Sequence, residues 1–265
     1  MLGAIVGDIV GSVYEFDNHK SKDFPLFRED SKFTDDTILT IATADALMTN
    51  DWDFAAKYRE YGKRYPSSYG LRFQDWIDEV ITGPYDSFGN GSAMRVSPAA
   101  WFEKHDHRVM IIAERSAEVT HNHPEGIKGA QATAMAILWT RQGVPRNRIR
   151  RDIETQFGYD LSISVDELRE TDQYNETCQQ TVPEAIMCFL EATGFEDAIR
   201  NAISIGGDSD TLAAITGSIA EAKWGVPEEV RAKALARLDG ELCRTLERFV
   251  QKHMVSSNDS CNPQI

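Results

Sequence analysis

Residues 206–224 read GGDSDTLAAITGSIAEAKW. Leu212, Ile215 and Ile219 recur at threes and fours behind a start rich in Asp, Ser and Thr, and this pattern predicts a helix over 209–224. The same periodicity runs outward along most of the chain. It predicts further helices over roughly 2–13, 35–49, 52–64, 72–81, 108–119, 124–142, 145–157, 181–192, 195–204 and 227–252. Only Leu161, Ile163 and Val165 alternate as a strand would, within a polar stretch from 159 to 178 that reads equally well as a surface excursion. The expected class is therefore all-α. No stretch rich in Pro, Gly and Ser marks a linker, so residues 1–253 are expected to form one domain, with 254–265 a flexible tail.

With 265 residues and 42% hydrophobic content, the chain can bury a large core. A formal charge of -14 argues against broad capture of nucleic acid or of an anionic membrane. Cys178, Cys188, Cys243 and Cys261 are widely spaced with no CxxC pair, which disfavours a zinc ribbon and fits a reducing cytoplasm. At the N-terminus Asp8 interrupts the apolar run early, and no basic region precedes it, so neither a signal peptide nor a spanning helix is expected. Gly3, Gly7 and Gly11 recur every fourth residue, which clears one helix face for close packing in the core.

A second helix start resembles the one at 206–211. Phe33-Thr34-Asp35-Asp36-Thr37 opens the helix through Leu39 and Leu47, and both starts carry Thr and two Asp. Taken singly, each reads as a helix cap with an acidic first turn. As a pair, Asp35, Asp36, Asp208 and Asp210 offer hard oxygen ligands and Thr34 and Thr211 neutral ones, a set suited to Mg²⁺ or Mn²⁺. If the two starts meet, the acids need compensation, since charges ~4 Å apart repel by about 4 kcal/mol at an effective dielectric of 20. Two divalent cations suit this ligand count better than one.

Five segments in order carry a family resemblance: Gly7-Asp8 through Glu15; TDDT at 34–37; SFGNGSAMR from Ser87 to Arg95; Thr120-His121-Asn122-His123-Pro124; and GGDSDT at 206–211. The chain resembles the ADP-ribosylglycohydrolase family, and the paired TDDT and GGDSDT motifs are the specific part of the match. The resemblance implies a compact orthogonal multi-helix bundle and hydrolysis of the glycosidic bond between ADP-ribose and a protein side chain or small-molecule acceptor. It further implies metal ligation by Thr34, Asp35, Asp36, Asp208, Asp210 and Thr211, with Glu15 at the reaction centre and Asp36 as a second candidate base. Ser87, Phe88, Gly89, Asn90, Gly91 and His121 become expected contacts to the ligand, and Gly70 a glycine beside it. Without the resemblance, Ser87–Gly91 reads as a backbone turn in which Gly and Asn tolerate positive φ and successive N–H groups can face an anion. His121 and His123 suit capping and packing at a helix start opened by Pro124, and zinc is a poor match to so hard a site.

Two rivals remain at this level. One is a silent ADP-ribose-binding or crystallin-like protein, against which Glu15 and the full ligand set argue. The other is a dimetal phosphohydrolase, distinguished by its products. The acceptor and the oligomeric state are not legible.

Overall fold

In the computed structural model, which describes residues 1–171 and 174–253, the segment at 206–224 is helical and almost wholly buried from Ser209 to Glu221. The helices in chain order are α1 (Leu2–Gly11), α2 (Asp35–Leu47), α3 (Phe54–Arg64), α4 (Leu71–Ile77), α5 (Gly91–Met94), α6 (Ser97–Phe102), α7 (Asp106–Glu118), α8 (Pro124–Arg141), α9 (Arg146–Phe157), α10 (Val165–Arg169), α11 (Cys178–Glu191), α12 (Phe195–Ser204), α13 (Ser209–Trp224), α14 (Glu228–Leu235) and α15 (Gly240–His253). The fold is all-α, and the described residues contain no strand, only an isolated bridge between Gly89 and Thr177. The expected tail at 254–265, with Cys261, lies outside the described residues. Cys178, Cys188 and Cys243 are free thiols. No helix among the described residues is long and apolar enough to cross a membrane.

The glycine face of α1 sets the architecture. A Cβ at Gly3 would strike the Gly217 carbonyl, one at Gly7 the Ala213 carbonyl, and one at Gly11 the Asp210 backbone. The lack of side chains there lets α1 and α13 pack backbone to backbone, with Ala213, Ala214 and Gly217 answering from α13. Asp8, on α1, is thereby carried into the interior beside the start of α13. Helix α8, buried from Gly129 to Thr140 apart from Gln131, is a second central rod, whereas α12 and α15 show one apolar face each and lie at the surface.

Several boundaries differ from the sequence expectation. The segment 227–252 is two helices, because Asp239 caps a new start, accepting from the backbone N–H groups of Glu241 and Leu242 at 2.8 Å each. Helix α11 begins at Cys178 rather than 181 and keeps Pro183 in its interior, forgoing one backbone bond. Helix α4 ends at Ile77, where Glu79 turns to φ 62. The Leu161/Ile163/Val165 alternation is not a strand: Leu161 is buried, Ile163 is exposed, and Val165 opens α10 behind a Ser164/Glu167 capping box.

Candidate active site

The two Thr/Asp helix starts meet on one side of a cavity of about 1190 Å³, a volume ample for a nucleotide-sized ligand. Glu15, Thr34, Asp35, Asp36, Asp208, Asp210 and Thr211 all line it. Ser87, Gly89, Asn90, Gly91 and His121 also line it, as does Gly70, the residue just before α4. Phe88 does not line the cavity. Its ring sits 5.3 Å from that of His123 on the exposed side of the same loop.

The start of α2 is closed by hydrogen bonds. The Thr34 hydroxyl accepts from the Asp36 N–H at 3.3 Å and donates to Asp8 Oδ1 at 2.6 Å. Asp8 Oδ2 takes the N–H groups of Thr34 at 3.0 Å and Thr37 at 3.1 Å. The start of α13 is set by its loop. Gly206 and Gly207 take φ 74 and 76, a conformation costly for other residues, and bend the chain so that Asp208 and Asp210 turn inward. Asn18 staples this loop to the end of the α1 segment. Its side-chain N–H₂ donates to the carbonyls of Tyr14 and Glu15 at 2.9 Å and of Gly207 at 3.1 Å, and its Oδ1 accepts from the Gly207 N–H at 2.6 Å. Glu15 is thereby fixed beside Asp208 and Asp210.

Carboxylate oxygens of Asp8, Asp36 and Asp210 lie within 4.8 Å of one another, as do those of Glu15, Asp208 and Asp210. Thr211 donates its hydroxyl to Asp36 Oδ2 at 3.3 Å, and Asn90 donates to Asp208 Oδ2 at 2.6 Å. Asp36 Oδ1, though buried, has no hydrogen-bond partner among the described residues. Burial is the largest cause raising every one of these acids, and the neighbouring carboxylates add to it. Asp36 and Asp210 are pushed well above the ordinary carboxylate range, Asp35 and Glu15 to about 7, and Asp208 upward. Asp8 is raised by burial to about 6, held back by the hydrogen bonds from Thr34 and Thr37. A crowd of buried acids with an orphaned oxygen facing a cavity is the donor chemistry of a hard divalent cation, and these residues fit one.

The loop at 87–91 works differently from its sequence reading. Its positive φ lies at Asp86, at 58°, not at Gly89 or Gly91. The glycines serve as clearance: a Cβ at Gly91 would stand 3.2 Å from His121 Nε2 and one at Gly89 3.6 Å from it. The Gly89 N–H is taken by Ser87 Oγ at 3.2 Å and the Asn90 N–H by the Glu176 carbonyl at 2.7 Å, so neither is free for an anion. Sequence reasoning passed over four neighbours of the site. Asp8 stands in the sequence as the acid that interrupts the apolar run and as part of the Gly7-Asp8 segment without a role at the site, Asn18 carries no signal, and Glu176 and Tyr174 lie in a polar stretch without periodicity. Tyr174 donates its hydroxyl to Glu15 Oε1 at 3.2 Å, and Glu176 lines the cavity. For Asp8 a signal existed, a lone acid on an otherwise apolar helix face.

Comparison with known proteins adds an independent line. The family model for ADP-ribosylglycohydrolase matches residues 1–259. ADP-ribosylhydrolase ARH3 of Danio rerio is 24% identical over 85% of this chain and 82% of its own. ADP-ribosylarginine hydrolase Tri1 of Pseudomonas putida (strain GB-1) is 27% identical over 85% of this chain and 70% of its own. ADP-ribosyl-[dinitrogen reductase] glycohydrolase of Rhodospirillum rubrum is 23% identical over 94% and 92%. A solved structure titled ADP-ribosylglycohydrolase-related protein complex shares the fold, with a TM-score of 0.64 at 24% identity over 92% of this chain and 96% of the other.

Proposed function

Because the chain belongs to the ADP-ribosylglycohydrolase family, we propose that its cavity releases ADP-ribose from a protein side chain or a small ADP-ribose conjugate with the help of two divalent cations, Mg²⁺ or Mn²⁺. Its chemistry is that of a glycosidic-bond hydrolase. The observation that carries the metal reading is the convergence of carboxylates from two separate helix starts and from Asp8, with Asp36 Oδ1 left unpartnered among them. Thr34, Asp35, Asp36, Asp208, Asp210 and Thr211 would hold the cations, and Asp8 orients Thr34 among them. Bound there, the cations would supply positive charge to offset the acids and to orient hydroxyl and water oxygens.

The protein side chains then divide the work. Glu15 is half-buried, accepts from the Tyr174 hydroxyl at 3.2 Å and stands beside Asp208 and Asp210, so it is placed to take the proton of an attacking water. Asp36 is the second candidate for that role. The ribose acquires oxocarbenium-like charge as its bond to the acceptor breaks, and the surrounding carboxylates favour that charge. Ser87, Gly89, Asn90, Gly91 and His121 line the same space and are assigned to the ADP-ribose, with Phe88 at the outer edge and Gly70 beside the ligand. Residues 1–253 are taken as the catalytic unit.

The test is product analysis over arginine-, serine- and O-acetyl-linked ADP-ribose. Free ADP-ribose from at least one substrate is the expected result. Release of inorganic phosphate or a mononucleotide instead would assign the site to phosphoryl chemistry.

A further inference from the structure

Arg95 is fully buried at the end of the short α5 segment, its guanidinium carbon 4.3 Å from the centre of the Tyr58 ring. Its Nη2 donates to the Ser116 carbonyl at 3.0 Å and to Thr120 Oγ1 at 2.8 Å. Thr120 Oγ1 lies 2.8 Å from His121 Nδ1, and Thr120 is itself fully buried. The other ring nitrogen, Nε2, faces Gly89 and Gly91 at the cavity wall.

A guanidinium only donates, so Thr120 Oγ1 must be the acceptor of the Arg95 bond. The hydroxyl has one proton to give, and among the described residues His121 Nδ1 is the only acceptor within reach. Were Nδ1 to carry the ring proton, Thr120 would accept from both sides and its own proton would be stranded in the core without an acceptor. We infer that Arg95 and Thr120 are positioning residues that fix His121 as the Nε2–H tautomer, so that the imidazole presents a hydrogen-bond donor to the ligand in the cavity. Burial, with Arg95 nearby, pushes the His121 pKa well down, so the ring stays neutral and the tautomer is a meaningful quantity. The donor meets an acceptor oxygen of the ligand, either a diphosphate oxygen or a ribose hydroxyl. Here the inference rests on the assignment of the cavity to ADP-ribose.

The experiment is ¹⁵N NMR of the histidine rings in the full-length, ligand-free protein, with His121 assigned by loss of its signals in His121→Gln. Binding of ADP-ribose is then measured by calorimetry for wild type, Thr120→Val and Thr120→Ser. A protonated Nε2 and an unprotonated Nδ1 are expected in wild type. Thr120→Val should show mixed tautomers and bind ADP-ribose about tenfold more weakly, while Thr120→Ser, which keeps the hydroxyl, should restore both. A wild-type ring protonated on Nδ1 overturns the inference, and so does Thr120→Val with unchanged tautomer and affinity. The wild-type spectrum decides the matter even if Thr120→Val does not fold. Failure of wild-type protein to bind ADP-ribose would instead count against the proposed function and leave the tautomer result standing.

Discussion

At the start of α2, Thr34 accepts the Asp36 N–H and Asp8 takes two further backbone N–H groups, so one carboxylate is committed to holding the helix end. At the start of α13, no side chain of Asp208 caps the helix, and two glycines at positive φ and the Asn18 staple shape the loop instead. The cap reading of such clusters therefore holds for one start and fails for the other. At the backbone-built start Asp210 Oδ1 accepts the Thr211 N–H at 2.9 Å and Asp208 Oδ2 accepts from Asn90 at 2.6 Å, whereas at the side-chain-built start an extra acid, Asp8, takes the backbone N–H groups. Asp36 keeps its Oδ1 unclaimed.

The largest effect is expected at Glu15, which the Asn18 staple ties to the backbone-built start. Glu15→Gln should lower turnover by roughly 10²–10⁴, the range for losing a general acid–base group, with little change in ADP-ribose affinity. Single-turnover hydrolysis beside calorimetric titration separates the two. Equal losses in both would make Glu15 a binding residue.

Next comes one acid from each helix start. Asp36→Asn and Asp210→Asn should each cost about 10²–10³ in activity, as loss of a charge-organising group does. The metal-free variants should melt no lower than wild type, because each substitution relieves repulsion. Full activity with lowered melting temperature would return both residues to helix capping.

A smaller, structural effect tests how Asp8 arrives between the two starts. Gly7→Ala places a methyl against the Ala213 carbonyl and should destabilise the fold by about 1–3 kcal/mol, as overpacking does. Denaturant unfolding measures it, and a neutral result would show that α1 and α13 can separate freely.

The mildest is a pH effect on the metal-free protein. Glu15 and Asp35 are raised to about 7 and Asp8 to about 6 in the folded state, above their ordinary values near 4. The folded protein then binds more protons than the unfolded, so their contribution to stability is complete below pH ~4 and is lost as pH rises through about 7. The gap in melting temperature between Mg²⁺-loaded and chelated protein should therefore widen from pH 5 to pH 7.5. A gap that narrows would mean that these acids are not raised together.

Much of this was legible in the sequence because the helix starts announce themselves: cap residues, apolar spacing and the repeated Thr/Asp pattern are local signals. The Gly3/Gly7/Gly11 face was legible as a close contact, but its partner on α13 is two hundred residues away and left no local mark. Asp8 escaped because its role exists only once α1 meets α2 and α13. The Asp239 break was visible as Asp-Gly but hidden by apolar spacing that continues in phase on both sides. Tyr174 reaches Glu15, and Glu176 the cavity, from a stretch without periodicity, next to the pairing of Gly89 with Thr177, a long-range contact without a sequence pattern.

The central claim, that two differently built helix starts meet to hold divalent cations, is tested most directly by anomalous diffraction from crystals soaked in Mn²⁺. The account predicts anomalous peaks within coordination distance of Asp36 and Asp210, one of them shared with Asp208, that vanish in Asp36→Asn and Asp210→Asn. A well-ordered cavity with no peak between α2 and α13 at saturating Mn²⁺ would contradict it.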